Sequence, residues 1–164
     1  MNTMKLVFFL LFTTLCYSQI YLLPNEELVF SFKTKNGKKM VLAKDKGNEY
    51  IIYRFGSTKK IELEYPSIKD KESWNKFTYS YYFRGGGKLN SGLQLESIYF
   101  QNENYEFTIY DDYSAEGESY EAGLLIKDIT TEHEKDCKGI YSSKQGDLLN
   151  LIKLGILKES EKSR

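Results

Sequence analysis

One histidine and two cysteines are all that the 164 residues provide for thiol or soft-metal chemistry. Cys16 lies in the leading apolar stretch, so the rest of the chain holds Cys137 alone and cannot form an internal disulfide. A structural zinc site is excluded unless carboxylates supply most of its ligands. Charge of one sign is also missing. The 23 Lys and Arg balance 23 Asp and Glu, so no strong field draws the chain to nucleic acid or anionic lipid. With only 2 Pro and with 41% hydrophobic residues, neither a collagen-like nor a disordered chain fits. What the chain has in quantity is aromatic: 14 Tyr, 10 Phe and 1 Trp, a content that favours strands.

Residues 1–19 carry a cation at Lys5, an apolar run from Leu6 to Leu15, and small or polar residues ending at Ser18. This pattern predicts a secretory signal peptide, too short for a membrane span, and a periplasmic or secreted product without a stable membrane anchor. Lipoprotein processing at Cys16 is the competing reading. Leu15 argues against it, because that processing usually needs a small residue there. Cleavage leaves about 145 residues, enough for one compact domain.

Residues 20–157 read as a single β domain. Phe30 and Phe32 alternate with Ser31 and Lys33, and Asn36-Gly37 marks a tight hairpin into Met40 to Ala43. Tyr50 to Phe55 is apolar on both faces apart from Arg54, which predicts a central strand. Ile61, Leu63 and Tyr65 alternate with charged residues up to Pro66. Trp74 is expected to plug one end. Phe77, Tyr79, Tyr81 and Phe83 line one face of the next strand, while Thr78, Ser80, Tyr82 and Arg84 line the other. Between Leu93, Leu95 and Ile98, Phe100 the apolar phase slips by one, which predicts a β-bulge near Glu96-Ser97. Tyr105 to Ile109, an acidic loop from Asp111 to Glu121, and Gly123 to Asp128 follow. Together these make an all-β chain of about eight antiparallel strands, a barrel or a sandwich. Helical spacing of Leu148, Leu149, Leu151, Ile152 and Ile156 predicts one short helix near 146–154, closing an edge or mouth. Residues 158–164 read as a disordered tail.

The segment Arg84-Gly85-Gly86-Gly87-Lys88 is the most distinctive. Its glycines permit close approach of a partner and its two cations can engage carboxylate or phosphate, yet the phosphate-loop pattern is absent. A solvated hairpin connection is the plain alternative. Tyr82, beside Arg84 on a strand face, completes a candidate partner-binding set, since Tyr and Arg on a rigid sheet make good anchors. Asp111, Asp112 and Glu116 are weak calcium candidates whose spacing does not match the EF-hand loop. No cofactor motif occurs and no nucleic-acid partner is expected. His133 and Cys137 lie four residues apart in a polar stretch, roughly 13 Å on a strand, so neither reads as catalytic.

Tyr50-Ile51-Ile52-Tyr53-Arg54-Phe55-Gly56 continuing to Ile61-Glu62-Leu63-Glu64-Tyr65-Pro66, with Phe77-Thr78-Tyr79-Ser80 leading into Arg84-Gly85-Gly86-Gly87, resemble a group of uncharacterised exported bacterial proteins over residues 38–152. The plan of an export signal followed by antiparallel strands is more distantly similar to the periplasmic and membrane-bound inhibitors of c-type lysozyme. That likeness implies a basic residue near a Ser-Gly segment entering the lysozyme cleft, with Arg84, Lys88 and Ser91-Gly92 as counterparts. The disulfide of those inhibitors is missing here. The expectation is an exported non-enzymatic protein that inhibits or neutralises another protein, a wall-degrading hydrolase or a toxin. The alternatives are a small-ligand carrier whose barrel encloses a Tyr-ringed site, and a hydrolase using the carboxylates of the acidic loop.

Overall fold

The computed structural model describes residues 21–88 and 90–162. The expected signal peptide, residues 1–19, lies outside them, as do residues 163 and 164 of the tail. Among the described residues no helix is long and apolar enough to cross a membrane.

The chain forms a β-sandwich of two meanders. β1 (Glu26–Lys33), β2 (Lys38–Asp45), β3 (Ile51–Ser57) and β4 (Ile61–Tyr65) make the first sheet. β5 (Phe77–Arg84), β6 (Leu93–Asn102), β7 (Tyr105–Ser114), β8 (Ser119–Asp128) and β9 (Glu134–Lys138) make the second. Turn chemistry sets the hairpins: Gly37 sits at φ 79° after Asn36, and the Asp45 carboxylate accepts the Gly47 amide at 2.7 Å. The 3-10 turn Lys71–Lys76 carries the chain between sheets. Trp74 is buried there and donates Nε1 to the Asn48 carbonyl at 3.1 Å, so it closes one end as expected.

The C-terminal segment then binds the two sheets together. The Gly139 amide donates to Ala122 of β8 at 2.8 Å, and the next amide, Ile140, donates to Lys33 of β1 at 2.7 Å. β10 (Gln145–Gly146) pairs with β1, and α1 (Leu148–Ile152) starts at Asp147, whose carboxylate accepts the Leu149 amide at 2.7 Å. Leu148 and Leu151 enter the core. β11 (Lys158–Glu159) then pairs in parallel with Thr78 and Tyr79 of β5. The tail is therefore not disordered from Lys158: Ser160 donates to the Tyr79 carbonyl at 2.6 Å and Lys162 pairs with Glu106. Gly146 is where this strap touches β1 most closely. Its φ is +83° and a Cβ there would stand 2.0 Å from the Val29 carbonyl oxygen. Gly146→Ala is expected to lower the unfolding free energy by about 1–3 kcal/mol, measured by urea denaturation. An unchanged midpoint would show that the strap adds no stability.

Between the sheets the core is aromatic and filled: Phe30, Phe32, Tyr53, Phe77, Phe100 and Phe107, with Met40, Leu42, Ile98, Ile109 and Leu124. The outer face of the first sheet carries a smaller cluster of Tyr21, Val41, Ala43, Tyr50 and Ile52. Arg54 lies on that face, fully buried. It holds Glu26 through two nitrogens at 2.6 and 2.8 Å, Glu64 through Nε at 2.6 Å, and the Tyr21 carbonyl at 3.0 Å.

Two expectations need correction. No bulge interrupts β6: its register with β5 and β7 runs unbroken from Leu93 to Asn102. The inward set is therefore Gln94, Glu96, Ile98 and Phe100, and the slip in phase records polar residues that face inward beyond the end of the apolar core. Nor is Asp111–Glu121 a loop. Asp111 and Asp112 belong to β7 and Glu121 to β8, because cross-strand pairing continues through Tyr113 and Tyr120 to Ser114 and Ser119.

Candidate functional site

Where β5 ends and β6 begins, the second sheet runs past the filled core. Its two faces at this tip differ in chemistry. On the outer face, alternation puts Tyr82 and Arg84 side by side, opposite Leu95 and Leu93 of β6, as the sequence predicts. Tyr82 is 50% exposed and its neighbour Phe83 is 61% exposed. Arg84 donates Nε to the Ser91 carbonyl at 3.0 Å. Gly85, Gly86, Gly87 and Lys88 follow as an exposed connection, closed by the Gly87 amide on the Asn90 carbonyl at 2.9 Å. β11 covers only Thr78 and Tyr79, so among the described residues Tyr81 to Arg84 have no strand on their free side.

On the inner face lies a cavity of about 260 Å³ lined by Gln94, Glu96, Asp111, Asp112, Tyr113, Tyr120, Tyr141, Lys144 and Asp147. Glu96 and Asp111 stand directly opposite each other on β6 and β7. Glu96 is 2% exposed; Gln94 donates to its Oε1, and its Oε2 has no hydrogen-bond partner. Burial, with the Asp147 and Asp111 carboxylates beside it, pushes the Glu96 carboxyl above the usual range, against the pull of the Gln94 amide and of the Leu149 N–H that donates to Asp147. Burial raises Asp111 likewise, against the pull of Lys144, with which it forms an ion pair. Burial alone would lower Lys144; the Asp111 carboxylate outweighs it and holds the ammonium above the ordinary lysine value. Three tyrosines form the outer wall, with ring centroids 4.7 Å apart for Tyr113 and Tyr120 and 5.3 Å apart for Tyr120 and Tyr141.

Sequence alternation is enough to put Tyr82 and Arg84 side by side, but it does not assemble the inner set: it reads Glu96 as part of a bulge and Asp111 as part of a loop, and Lys144 and Asp147 arrive only through the C-terminal strap. The clue was present at β6, where Glu96 falls in phase with Ile98 and Phe100. The calcium candidates are not gathered: Asp111 is buried against Lys144, whereas Glu116 is exposed in the β7–β8 turn. Among the described residues no three His, Cys, Asp or Glu side chains converge as metal ligands. His133 is exposed before β9, and Cys137 on β9 is half-buried against the core, its thiol pushed up by burial.

A larger groove, about 540 Å³, lies at the other end of the second sheet along the crossover and is lined by Glu64, Tyr65, Ile68, Asp70, Glu72 and Lys76 among others. Its acids have structural work: Glu64 pairs with Arg54 and Lys69, Asp70 caps the 3-10 turn, and Glu72 accepts Asn75. The tip, not this groove, holds a buried carboxylate oxygen without a hydrogen-bond partner, Glu96 Oε2. Comparison with known protein families, with curated proteins and with solved structures gives no match, so the functional reading rests on this geometry.

Proposed function

We propose that this is an exported non-enzymatic binding module that blocks or neutralises another protein through the tip of its second sheet. Its partner presents carboxylates, as the cleft of a wall-degrading hydrolase does, or an acidic toxin surface. The observation that carries this reading is the outer face of β5, where Tyr82 and Arg84 stand exposed on a strand with a free edge, with Phe83 exposed on the opposite face of the same strand end. Tyr and Arg are the residues that most often carry interface energy, and a rigid strand lowers the ordering loss on binding. The exposed glycine connection that follows Arg84 carries a second cation, Lys88, which can engage the carboxylates of a partner. The filled aromatic core supports this reading over an enclosed ligand carrier.

The test is titration of the purified protein with c-type lysozyme and with muralytic enzymes of other classes. Arg84→Glu is expected to weaken the complex by at least about 2 kcal/mol, the hot-spot range, with the unfolding midpoint unchanged. Equal affinity of the variant removes the tip from the interface. Absence of any complex at about 10 µM protein removes the wall hydrolases as targets.

A further inference from the structure

The inner cavity of the tip has a different character from the protein-binding face, and its chemistry points to a separate ligand. Burying an ionised carboxylate oxygen without a donor is costly, and native structures keep such groups where a partner satisfies them. Glu96 Oε2 is in that state, on a side chain 98% removed from solvent that lines the cavity. Beside it stand Asp111 and Asp147 against one lysine, Lys144, which is already engaged by Asp111. The Glu96 carboxylate therefore has no cation of its own in the site. A hard metal ion is not what the arrangement favours, since the carboxylates do not converge as a ligand set among the described residues.

The wall opposite the acids is built from Tyr113, Tyr120 and Tyr141, whose rings, tilted 36° to one another in each neighbouring pair, present π faces and hydroxyls. Lys144 already shows the preference of this wall: its ammonium lies 5.2 Å from the centroid of the Tyr141 ring. Carboxylates at the base and aromatic faces at the side are the pairing that recognises ammonium and guanidinium groups, because the cation meets the acid head-on and the ring through its quadrupole. A volume of about 260 Å³ accommodates one such group with its alkyl stem and leaves no room for a folded oligomer.

We propose that the cavity between Glu96, Asp147 and the Tyr113–Tyr120–Tyr141 wall binds an organic cation, a primary ammonium or alkylguanidinium, that donates to Glu96 Oε2 and lies against the Tyr120 ring. The cation comes either from a free amine or from a Lys or Arg side chain of a protein.

Calorimetric titration of the purified protein with agmatine, with the blocked peptide acetyl-Gly-Arg-Gly-amide, and with neutral 1,4-butanediol tests this. Agmatine or the peptide is expected to bind with a dissociation constant below about 1 mM, and butanediol to give no heat. Peptide binding at least about tenfold tighter than agmatine identifies a protein side chain as the source, and the reverse order identifies a free amine. Glu96→Gln is expected to lose about tenfold or more in affinity for the cation while melting no lower than wild type near pH 7, because it removes a buried unpartnered charge. Tyr120→Ala, at a half-exposed position, is expected to weaken binding about threefold or more. Arg84→Glu, on the other face, is expected to leave cation binding unchanged, so the two sites fail independently. No heat from either cation at about 10 mM, equal binding of butanediol, or full affinity in both Glu96→Gln and Tyr120→Ala overturns the proposal.

Discussion

Arg54→Met is expected to lower the unfolding free energy by about 3–5 kcal/mol, a large part of the stability of a domain this size. Both Arg54 and Glu26 have side chains at most 1% exposed, and they meet through two hydrogen bonds at 2.6 and 2.8 Å. Removing the cation strands the Glu26 carboxylate in a dry site, and that uncompensated charge, more than the lost attraction, sets the size of the effect. The double variant Arg54→Met with Glu26→Gln is therefore expected to recover much of the loss, since it removes both charges. Failure of the second substitution to restore stability would mean that packing of the arginine stem, and not charge, is what matters there.

The same network predicts the acid limb of the stability curve. Burial raises the Glu26 carboxyl, but hydrogen bonds and charge from Arg54, with the Leu23 amide and the Tyr50 hydroxyl, outweigh it and hold it below the usual carboxylate range. Glu64 is lowered by Arg54 and Lys69 in the same way, against its own burial. A folded value below the unfolded one means stabilisation that is complete above the unfolded value, about 4.3, and is lost as pH falls through the folded one. Wild type is thus expected to lose stability steeply below about pH 4.5, and Arg54→Met to show a shallower decline, because its Glu26 has no cation to lose. Parallel urea midpoints for the two proteins from pH 7 to pH 3 would contradict this.

The parts of the fold legible in the sequence are those written in short-range chemistry. Asn36-Gly37 sets the first hairpin, the alternation of Phe77 to Phe83 sets the inner and outer faces of β5, and the side-by-side placement of Tyr82 and Arg84 follows from that alternation alone. β9, β10 and β11 escape notice because Glu134–Lys138 is polar and the other two are dipeptides whose strand character comes only from the neighbour they pair with. The inner site was hidden for a different reason. A carboxylate at an inward position and a bulge disturb the period-two pattern in the same way, so Glu96 within β6 has two readings. What separates them is whether apolar core lies opposite, a tertiary fact that local sequence does not contain. Asp111 was likewise in phase with Phe107 and Ile109, but a run of acidic residues resembles a turn until Tyr113 and Tyr120 are seen to pair across it.

Phe100→Ala is expected to have a similarly large effect, a loss of about 3–5 kcal/mol, through packing instead of charge. The Phe100 ring lies 4.6 Å from Phe107 in a parallel stack and 4.9 Å from Tyr65, with Tyr53 at 4.7 Å and Phe77 at 5.2 Å. It thus joins β3 and β4 of the first sheet to β5 and β7 of the second, and truncation opens a cavity between sheets that rigid strands on both sides cannot close. Phe100→Leu keeps much of the volume and is expected to recover part of the loss, though not the aromatic contacts, which the near-ultraviolet circular dichroism would register. The consequence reaches the tip. β6 carries Phe100 in the core and Glu96 at the site on one continuous strand, so a loosened core frees the strand that positions the carboxylate. Cation binding measured on Phe100→Ala below its melting temperature is expected to weaken along with stability, while Gly146→Ala, which acts through the strap bearing Lys144 and Asp147, weakens it from the other side. Full cation affinity in both destabilised variants would show that the cavity is held by local contacts alone, without support from the sandwich beneath it.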